Sequence, residues 1–530
     1  MKIERDSIGY NKSFHLPLIS PSFVIKACLF ATGCSGIVAE YTLSTLASYL
    51  IGNAVFQWTI VMSLMLFAMG IGSRITRYFY HNLLDIFIVI EFILSISCAL
   101  SSIIAYSFSS YPCLPIIIYI HSLIIGCLIG LEMPLVIRLN QEFEELRVNI
   151  SGIMEKDYYG ALLGGAIYAF IALPFLGLTY TPILLGAINA IVASIMLLKF
   201  FPLLKRKKII STFFLFTSAS LIILSIFSEP IILFGEQKKY KDKIIFSDRS
   251  KYQKIVITQW KDYYWLYVNG HVQFSTYDEE KYNEPLVHPA MKIALNIDNI
   301  LILGGGDGLA LREVLKHKYI KSVTLVDIDP FMTDLAKHHP VLLNINKGSI
   351  NNIKVKIINE DALRFIKNDN KLYSVIIIDL PAPDSFDLMH LYSSNFYIIL
   401  RQHLIKGGIM VTQATSPYFS QKAFLCILRT IRDSGYSTLP YHNHIPTMGE
   451  WGWIIGIKSN DMDEFSLKKR LLDTDFSDLD IKFLSNDSII SMAYFGKGII
   501  DEEIIADIKN NTDINPVLYY YYLSGSWGSY

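Results

Sequence analysis

The residues of this chain best suited to chemistry are carboxylates placed at the ends of short apolar runs. NILIL (299–303) leads into Gly304-Gly305-Gly306-Asp307-Gly308, and SVTLVD (322–327) ends on Asp327. IKVKII (353–358) leads into Asn359-Glu360-Asp361-Ala362, and YSVIIID (373–379) ends in Asp379-Leu380-Pro381-Ala382-Pro383-Asp384. Bare glycine lets a backbone approach a ligand closely at a helix N-terminus. The loop is not a dinucleotide fingerprint, because the third glycine of G-x-G-x-x-G would fall at Leu309. Asp307 would repel a pyrophosphate and suits a cationic ligand. Asp327, about 20 residues further on, can accept both hydroxyls of a ribose. Asp361 can accept from an adenine amino group or cap the next helix, and the spacing leaves both open. Asp379 leaves a buried strand toward two prolines, which aim it rigidly. Burial beside other carboxylates would raise its pKa toward proton acceptance. Together these residues suit an adenosyl-sulfonium better than a nicotinamide.

Acids at four successive strand ends need a parallel sheet to gather them. The β-branched runs alternate with helical patterns starting near 308, Pro330 and Asp361 and lying near 392–403 and 418–434, with a further strand GIMVTQA (408–414). That period predicts a Rossmann-like, methyltransferase-type doubly wound α/β domain over 298–480, with ligands at the strands' C-terminal ends. Ahead of it, IIFSDRS, YQKIVITQ (252–259), YYWLYVNG (263–270) and HVQFS (271–275) read as a small antiparallel sheet with a hairpin at Asn269-Gly270, giving a β-rich subdomain over 236–297. Residues 481–530 read as a C-terminal extension. It has a helix at 501–511 and an aromatic terminus at 515–522, expected to pack on the domain or at a membrane interface.

The first 235 residues are of another kind: 26 are charged, against 68 of the remaining 295. Stretches near 22–44, 56–76, 84–106, 113–136, 159–179, 181–201 and 209–228 meet the bilayer length of roughly 20 apolar residues, predicting a multi-pass α-helical membrane domain of about seven helices. The first is too long and too far from the N-terminus to be a removable signal and reads as an anchor. Lys and Arg alternate between loops: Lys2, Arg5 and Lys12, then Arg74 and Arg77, then Arg138, Arg147 and Lys156, then Lys205 to Lys208 lie on one side. This predicts a cytoplasmic N-terminus. Seven crossings would then place residues 236–530 outside, whereas Lys238, Lys239, Lys241 and Lys243 favour the inside; a segment that is re-entrant or lies in the interface would reconcile the two. Glu40, Glu91 and Glu132 fall within apolar stretches, as a path for a cationic solute or as carboxylates neutralised inside the bundle. Gly160-x-x-x-Gly164 permits close helix packing. The six cysteines show no C-x-x-C pair and no zinc spacing. With 47 basic and 47 acidic residues and no basic tract in the second half, nucleic acid is not an expected partner.

The motifs YQKIVIT, VNGHVQ, DEEKYNEPLVHPA, LILGGGDGLALREVLKH, VTLVDIDP, INEDALRF, VIIIDLP and LYSSNFY, from about Tyr252 to Gly456, resemble the spermidine synthase (polyamine aminopropyltransferase) family in its membrane-anchored bacterial branch. The resemblance implies transfer of the aminopropyl group of decarboxylated S-adenosylmethionine to a diamine such as putrescine. The donor acts as a co-substrate, with no separate cofactor and no metal. It implies that Gln253, Asn283, Gly304, Gly306, Asp307, Asp327, Asp361 and Ala362 hold the donor. Tyr282 and Asp379 would bind the attacking amine, Asp379 accepting its proton, with Asp384 at the amine side. Asn283 stands where the family has Gln or His, and Asp327 where many members have Glu. Two departures stand out. The family's second acid, three residues after the catalytic one, is Ala382, and the tyrosine after its Ile-Pro-Thr stretch is Met448. Asp384 or Glu450 are the acids available to compensate. Soluble members associate as dimers or tetramers, so a homo-oligomer is allowed. The expected location is the cell (inner) membrane, with the catalytic half in the cytoplasm where the donor is made. Two rival readings are methyl transfer from intact S-adenosylmethionine and a polyamine-binding sensor or transporter with an inactive soluble domain.

Overall fold

The computed structural model describes residues 20–52, 54–459 and 462–527. Lys2, Arg5 and Lys12 lie outside them. Contacts divide the chain into two units, Met1–Lys241 and Asp242–Tyr530.

The first unit is helical: α1 Pro21–Ile51, α2 Ala54–Ile75, α3 Leu83–Ser107, α4 Leu114–Asn140, α5 Leu146–Ile167, α6 Gly177–Phe200 and α7 Lys207–Gln237. Among the described residues six helical stretches are long and apolar enough to cross a membrane by length and composition. The stretch Leu146–Leu203, at 58 residues, is far longer than one span requires. It widens into a π-helix over Tyr168–Leu176 and breaks at Gly177, whose φ of 61° closes the helix. Its two arms meet α1 in opposite senses. Gly160 and Gly164 of α5 abut Phe30 and Cys34, so close that a Cβ at Gly160 would fall 2.2 Å from the Phe30 carbonyl. Tyr168 reaches Tyr41 and Thr45 further along α1. In α6 the order reverses: Leu178 and Leu185 pack in one cluster with Val38 and Leu43, and Val192 and Met196 in another with Val24 and Cys28. Among the described residues the bundle therefore holds seven helices, with α5 and α6 running in opposite senses along α1. The apolar runs place the helices but not all their ends, since α5 begins at Leu146 rather than near 159 and carries Arg147, Glu155, Lys156 and Asp157 in its first turns.

The cationic loops share one end of this bundle. Lys26 pairs with Glu144, Arg138 donates to the Thr76 carbonyl, and the Asp85 carboxylate accepts from the amides of Lys205 and Arg206. At the other end Ser109 donates to the Gly235 carbonyl, and Lys239 lies over the Tyr49 ring. The chain thus leaves the bundle at the end away from its cationic loops.

The second unit opens with an antiparallel sheet in sequential order, β1 Lys243–Arg249, β2 Lys254–Trp260, β3 Tyr263–Val268 and β4 His271–Ser275, turning at Asn269-Gly270, both of which have positive φ. Next come α8 Glu280–Ile293, β5 Asn299–Gly304, α9 Leu309–Val314, β6 Ser322–Val326, α10 Pro330–His338, α11 Pro340–Asn346, β7 Val355–Ile358, α12 Ala362–Asn368, β8 Tyr373–Asp379, α13 Ser394–Gln402, β9 Leu404–Gln413, α14 Gln421–Asp433, β10 Ser437–Ile445 and β11 Gly449–Ile457. The seven strands lie in the order β10-β11-β9-β8-β5-β6-β7, with β5 to β9 parallel. One apolar cluster covers each face, including Leu286, Leu311 and Trp453 on one side and Phe365, Phe396 and Leu428 on the other. The sheet is not parallel throughout: β11 runs antiparallel between β9 and β10, a hairpin that strand–helix alternation does not announce.

Four short helices finish the chain: α15 Glu464–Leu472, α16 Asn486–Met492, α17 Glu502–Asp507 and α18 Val517–Leu523. The aromatic terminus packs on this unit, with Tyr519 4.1 Å from Phe386, ring centre to ring centre. Glu284 of α8, 1% exposed, accepts from the amides of Lys482, Phe483 and Leu484 and so ties this segment down. Glu284→Ala strands those donors at about 1–3 kcal/mol for each buried group left unsatisfied. Hydrogen exchange at amides 482–484 is therefore expected to accelerate at least about tenfold.

Candidate active site

The parallel strands β8, β5, β6 and β7 are neighbours, so their C-terminal loops open onto one crevice. The glycine loop brings its carboxylates together. Gly304, at φ 82°, has no room for a Cβ, which would lie 2.1 Å from the Asp379 carbonyl, and the Gly305 amide donates to that carbonyl at 3.1 Å. Gly306 donates its amide to Asp327 Oδ2 at 3.0 Å, while Asp327 Oδ1 accepts from the Asp329 amide at 2.8 Å. Asp327 is thus held by both oxygens. Asp307 accepts from the Leu309 amide at 2.8 Å, fixing it at the mouth of α9.

Asp379 closes β8 and accepts a hydrogen bond from the Tyr282 hydroxyl of α8 at 2.9 Å. Tyr282 is set by two indoles, its ring 5.6 Å from Trp453 and 6.5 Å from Trp451. The β10–β11 hairpin carrying them is anchored at its tip, where Thr447 donates its amide and hydroxyl to buried Asp278. The backbone after Asp379 is also held, since Tyr392 donates to the Pro381 carbonyl at 2.7 Å and Gln413 to the Leu380 carbonyl at 3.0 Å.

The electrostatics are those of acids without a counter-charge. Burial pushes the Asp379 carboxyl up to about 6, with Asp327 adding to the rise and the Tyr282 hydrogen bond opposing it. Burial, then Asp379, pushes Asp307 up to about 7, and burial pushes Asp327 up to about 6. Tyr282 is held well above the usual phenol range by burial and by Asp379. Among the described residues no lysine, arginine or histidine lies close enough to Asp307, Asp327 or Asp379 to shift it appreciably.

The remaining residues sort by what they touch. Asp361 is the N-cap of α12, accepting from the Arg364 amide at 2.8 Å, and its other oxygen lies 3.8 Å from His390 Nε2. Of the two roles its spacing left open, the cap is the contact the structure shows. Ala362 follows as the buried first residue of α12. Gln253 sits in the β1–β2 loop with its backbone bonded to Ser250, whose hydroxyl donates to Asp329 and ties that loop to the end of β6. Asn283 is buried and donates to Glu279, which in turn accepts from Arg312, so its amide group faces this pair. Asp384 lies 3.5 Å from His271 Nε2, and burial raises its carboxyl. Glu450 is taken up by His442 and His444. It alternates with Trp451 on β11 and so points to the face away from Tyr282. It is not placed to replace the acid missing at Ala382.

Sequence reasoning missed Tyr392 and Gln413, though both lie in runs it quoted, LYSSNFY and GIMVTQA. It also missed the buried chain of Arg312, Glu313, His288 and His317 behind α8. There Glu313 accepts from Arg312, Lys316 and His288 and is pulled down to about 2, burial alone opposing the shift.

A doubly wound sheet with a rim of uncompensated carboxylates at its switch point defines a class of Rossmann-like transferase suited to a cationic nucleoside. The description "Spermine/spermidine synthase domain" matches residues 279–469. Polyamine aminopropyltransferase 2 of Aquifex aeolicus is 40% identical over 507 residues, 95% of this chain and 99% of that protein. The polyamine aminopropyltransferase of Oceanobacillus iheyensis is 36% identical over 93% of this chain and 96% of its own length. The solved spermidine synthase from Thermotoga maritima covers 50% of this chain and 87% of its own at 22% identity, with a TM-score of 0.43. The chain belongs to the polyamine aminopropyltransferase family.

A Cβ at Gly306 would fall 2.6 Å from Asp327 Oδ2. Gly306→Ala is expected to displace that carboxylate and raise the KM for the nucleoside donor at least tenfold, with a smaller effect on kcat, read from steady-state kinetics. The raised carboxyls also set a stability trend. Their folded pKa values exceed those of the unfolded chain, so their contribution is complete below about pH 4. It is lost as pH rises through about 6 to 7. The ligand-free thermal midpoint is expected to fall over that window less in Asp307→Asn than in wild type.

Proposed function

We propose that the chain transfers the aminopropyl group of decarboxylated S-adenosylmethionine to an aliphatic diamine such as putrescine, yielding spermidine and 5′-methylthioadenosine. The observation that carries this reading is the crevice in which Asp307, Asp327 and Asp379 converge without a cation. The donor brings a sulfonium and an ammonium, which are the charges that site lacks. Asp327 receives the ribose hydroxyls, the glycine loop admits the nucleoside against bare backbone, and Asp307 faces the positive chain. The acceptor amine hydrogen-bonds to Asp379 beside Tyr282. As its nitrogen attacks the carbon next to sulfur, the new C–N bond forms, the C–S bond breaks, and the thioether departs with the sulfur electron pair. Asp379 takes the amine proton, and the donor acts as a co-substrate. Holding both reactants in one crevice can contribute about 7–11 kcal/mol, and positioned proton transfer about two to four decades.

The same acids disfavour methyl transfer from the intact nucleoside, whose extra carboxylate would meet them at a cost of about several kcal/mol. Titration calorimetry is expected to show tight binding of the decarboxylated nucleoside and weak binding of the carboxylated one.

The helical unit fits a membrane anchor, because α7 leaves Leu215, Phe216, Ile222, Ile223, Ile226 and Phe227 exposed along its length. We place the chain in the cell (inner) membrane with its second unit in the cytoplasm, where the donor is made and where Lys238, Lys239, Lys241 and Lys243 at the exit would also sit. The cationic loops at the other end of the bundle pull the opposite way. Protease added to intact spheroplasts is expected to spare residues 242–530 and to cleave them after lysis.

Asp379→Asn is expected to lower kcat at least about 100-fold while donor binding changes only a few-fold, measured by radiolabelled aminopropyl transfer and calorimetry. Full activity in that variant removes Asp379 from the reaction. Because Asp379 must be ionised to accept a proton, kcat/KM is expected to rise with pH through about 6 and then level off. The limb in kcat lies at lower pH, since the bound sulfonium favours the carboxylate.

A further inference from the structure

The helical unit contains carboxylates for which the reaction above has no use. Glu91 of α3 is fully buried, and neither of its oxygens has a hydrogen-bond partner. Glu132 of α4 is 3% exposed and lies within electrostatic reach of both Glu91 and α5's Asp157. It lies beside Thr32 of α1, whose hydroxyl donates to the Leu29 carbonyl, and its Oε1 is unpartnered. These positions share one level of the bundle. At 1.5 Å per residue, Glu91 and Glu132 lie roughly 12 Å, and Thr32 and Asp157 roughly 17 Å, from the end that bears the cationic loops.

A separate group points the same way. Asn189 of α6 is fully buried with its carbonyl oxygen unpartnered, and its amide faces Cys98 at 4.0 Å. Cys98 in turn lies within electrostatic reach of Glu91 and Glu132. Acceptor oxygens from several helices thus converge in a core that supplies no donor for them. Among the described residues no Lys, Arg or His pairs with Glu91 or Glu132, and no group of three or more His, Cys, Asp or Glu is arranged to hold a metal ion.

We propose that this buried polar cluster between α1, α3, α4, α5 and α6 is a binding site for a linear aliphatic polyamine, with Glu91 and Glu132 receiving its ammonium groups. Carboxylates in an apolar core need a counter-charge, and ionisable groups at such depth face a bundle interior and mark a solute site. The carboxylates are spread over three helices with Ile88, Leu131 and Leu135 among the apolar residues packed around them. That arrangement suits a cation whose charges are separated by methylene chains better than a compact ion. The inference rests on the proposed function only in that the amine class bound is the one handled by the second unit.

The test is equilibrium binding of radiolabelled spermidine to the detergent-solubilised full-length protein, wild type against Glu91→Gln/Glu132→Gln. Wild type is expected to bind two equivalents per chain and the double variant one. Equal binding by the two proteins overturns the proposal, whatever the number of equivalents in wild type. The gel-filtration profile and thermal midpoint check that the variant is folded. If it is not, Glu132→Gln alone is expected to weaken the second site at least tenfold, and unchanged affinity there overturns the proposal equally. Aminopropyl transfer measured on the wild-type preparation reports separately on the proposed function, which fails without product even where the second equivalent is found.

Discussion

The second unit is organised around the mutual repulsion of buried carboxylates that no side chain neutralises. Asp307, Asp327 and Asp379 each stand above the usual carboxylate range because burial disfavours their charged forms, and their neighbours add to the effect. Such groups tend to turn outward or recruit an arginine unless the backbone prevents it. Here the backbone does prevent it. Gly306 and Asp329 hold Asp327 by their amides, Leu309 holds Asp307, and the loop after Asp379 is fixed through Tyr392 and Gln413. The strain is carried by positions that only glycine can occupy, above all Gly304, whose left-handed φ and contact with the Asp379 carbonyl exclude a side chain. A rigid sheet with short loops is what makes an uncompensated acidic crevice affordable to the fold.

Much of this was legible because it is local. Strand–helix alternation located β5 to β9 and the helices between them, since each strand is a short β-branched run bounded by turn residues. The acids were found because the sheet's geometry puts every strand end on one rim, so that position in sequence converts directly into position in space. The Asn269-Gly270 hairpin is similarly local, both residues taking the positive φ their types tolerate.

What was not legible depends on contacts between distant residues. The β10–β11 hairpin joins the far side of the sheet and reverses its polarity through pairing with β9, which no run of apolar residues encodes. Asn283 illustrates the same limit: its place beside the glycine loop's partners follows from motif order, while its actual contact is with Glu279, four residues back and itself engaged by Arg312. The helical unit shows the complementary case. The apolar stretches fall on the helices α1 to α7, yet the sense of α5 and α6 against α1 is set by the break at Gly177 and by Gly160 and Gly164 meeting Phe30 and Cys34.

The two departures from the family pattern bear on the acceptor end of the crevice, and the structure narrows their meaning. Ala382 removes a carboxylate, and the nearby acids do not simply replace it. Glu450 points away and is held by His442 and His444, while Asp384 faces His271. Met448, in place of a phenol, packs against the same core cluster as Trp451. The groups around Tyr282 are therefore mainly aromatic faces, Trp451 and Trp453, with Asp379 the one acid bonded to it. An aromatic face attracts an ammonium by about 0.5–2 kcal/mol and tolerates displacement of the charge across the ring, whereas a carboxylate fixes it at hydrogen-bond distance. In the proposed reaction, an acceptor end built this way keeps the reacting nitrogen in register through Asp379 while relaxing control over the distance to the second charge.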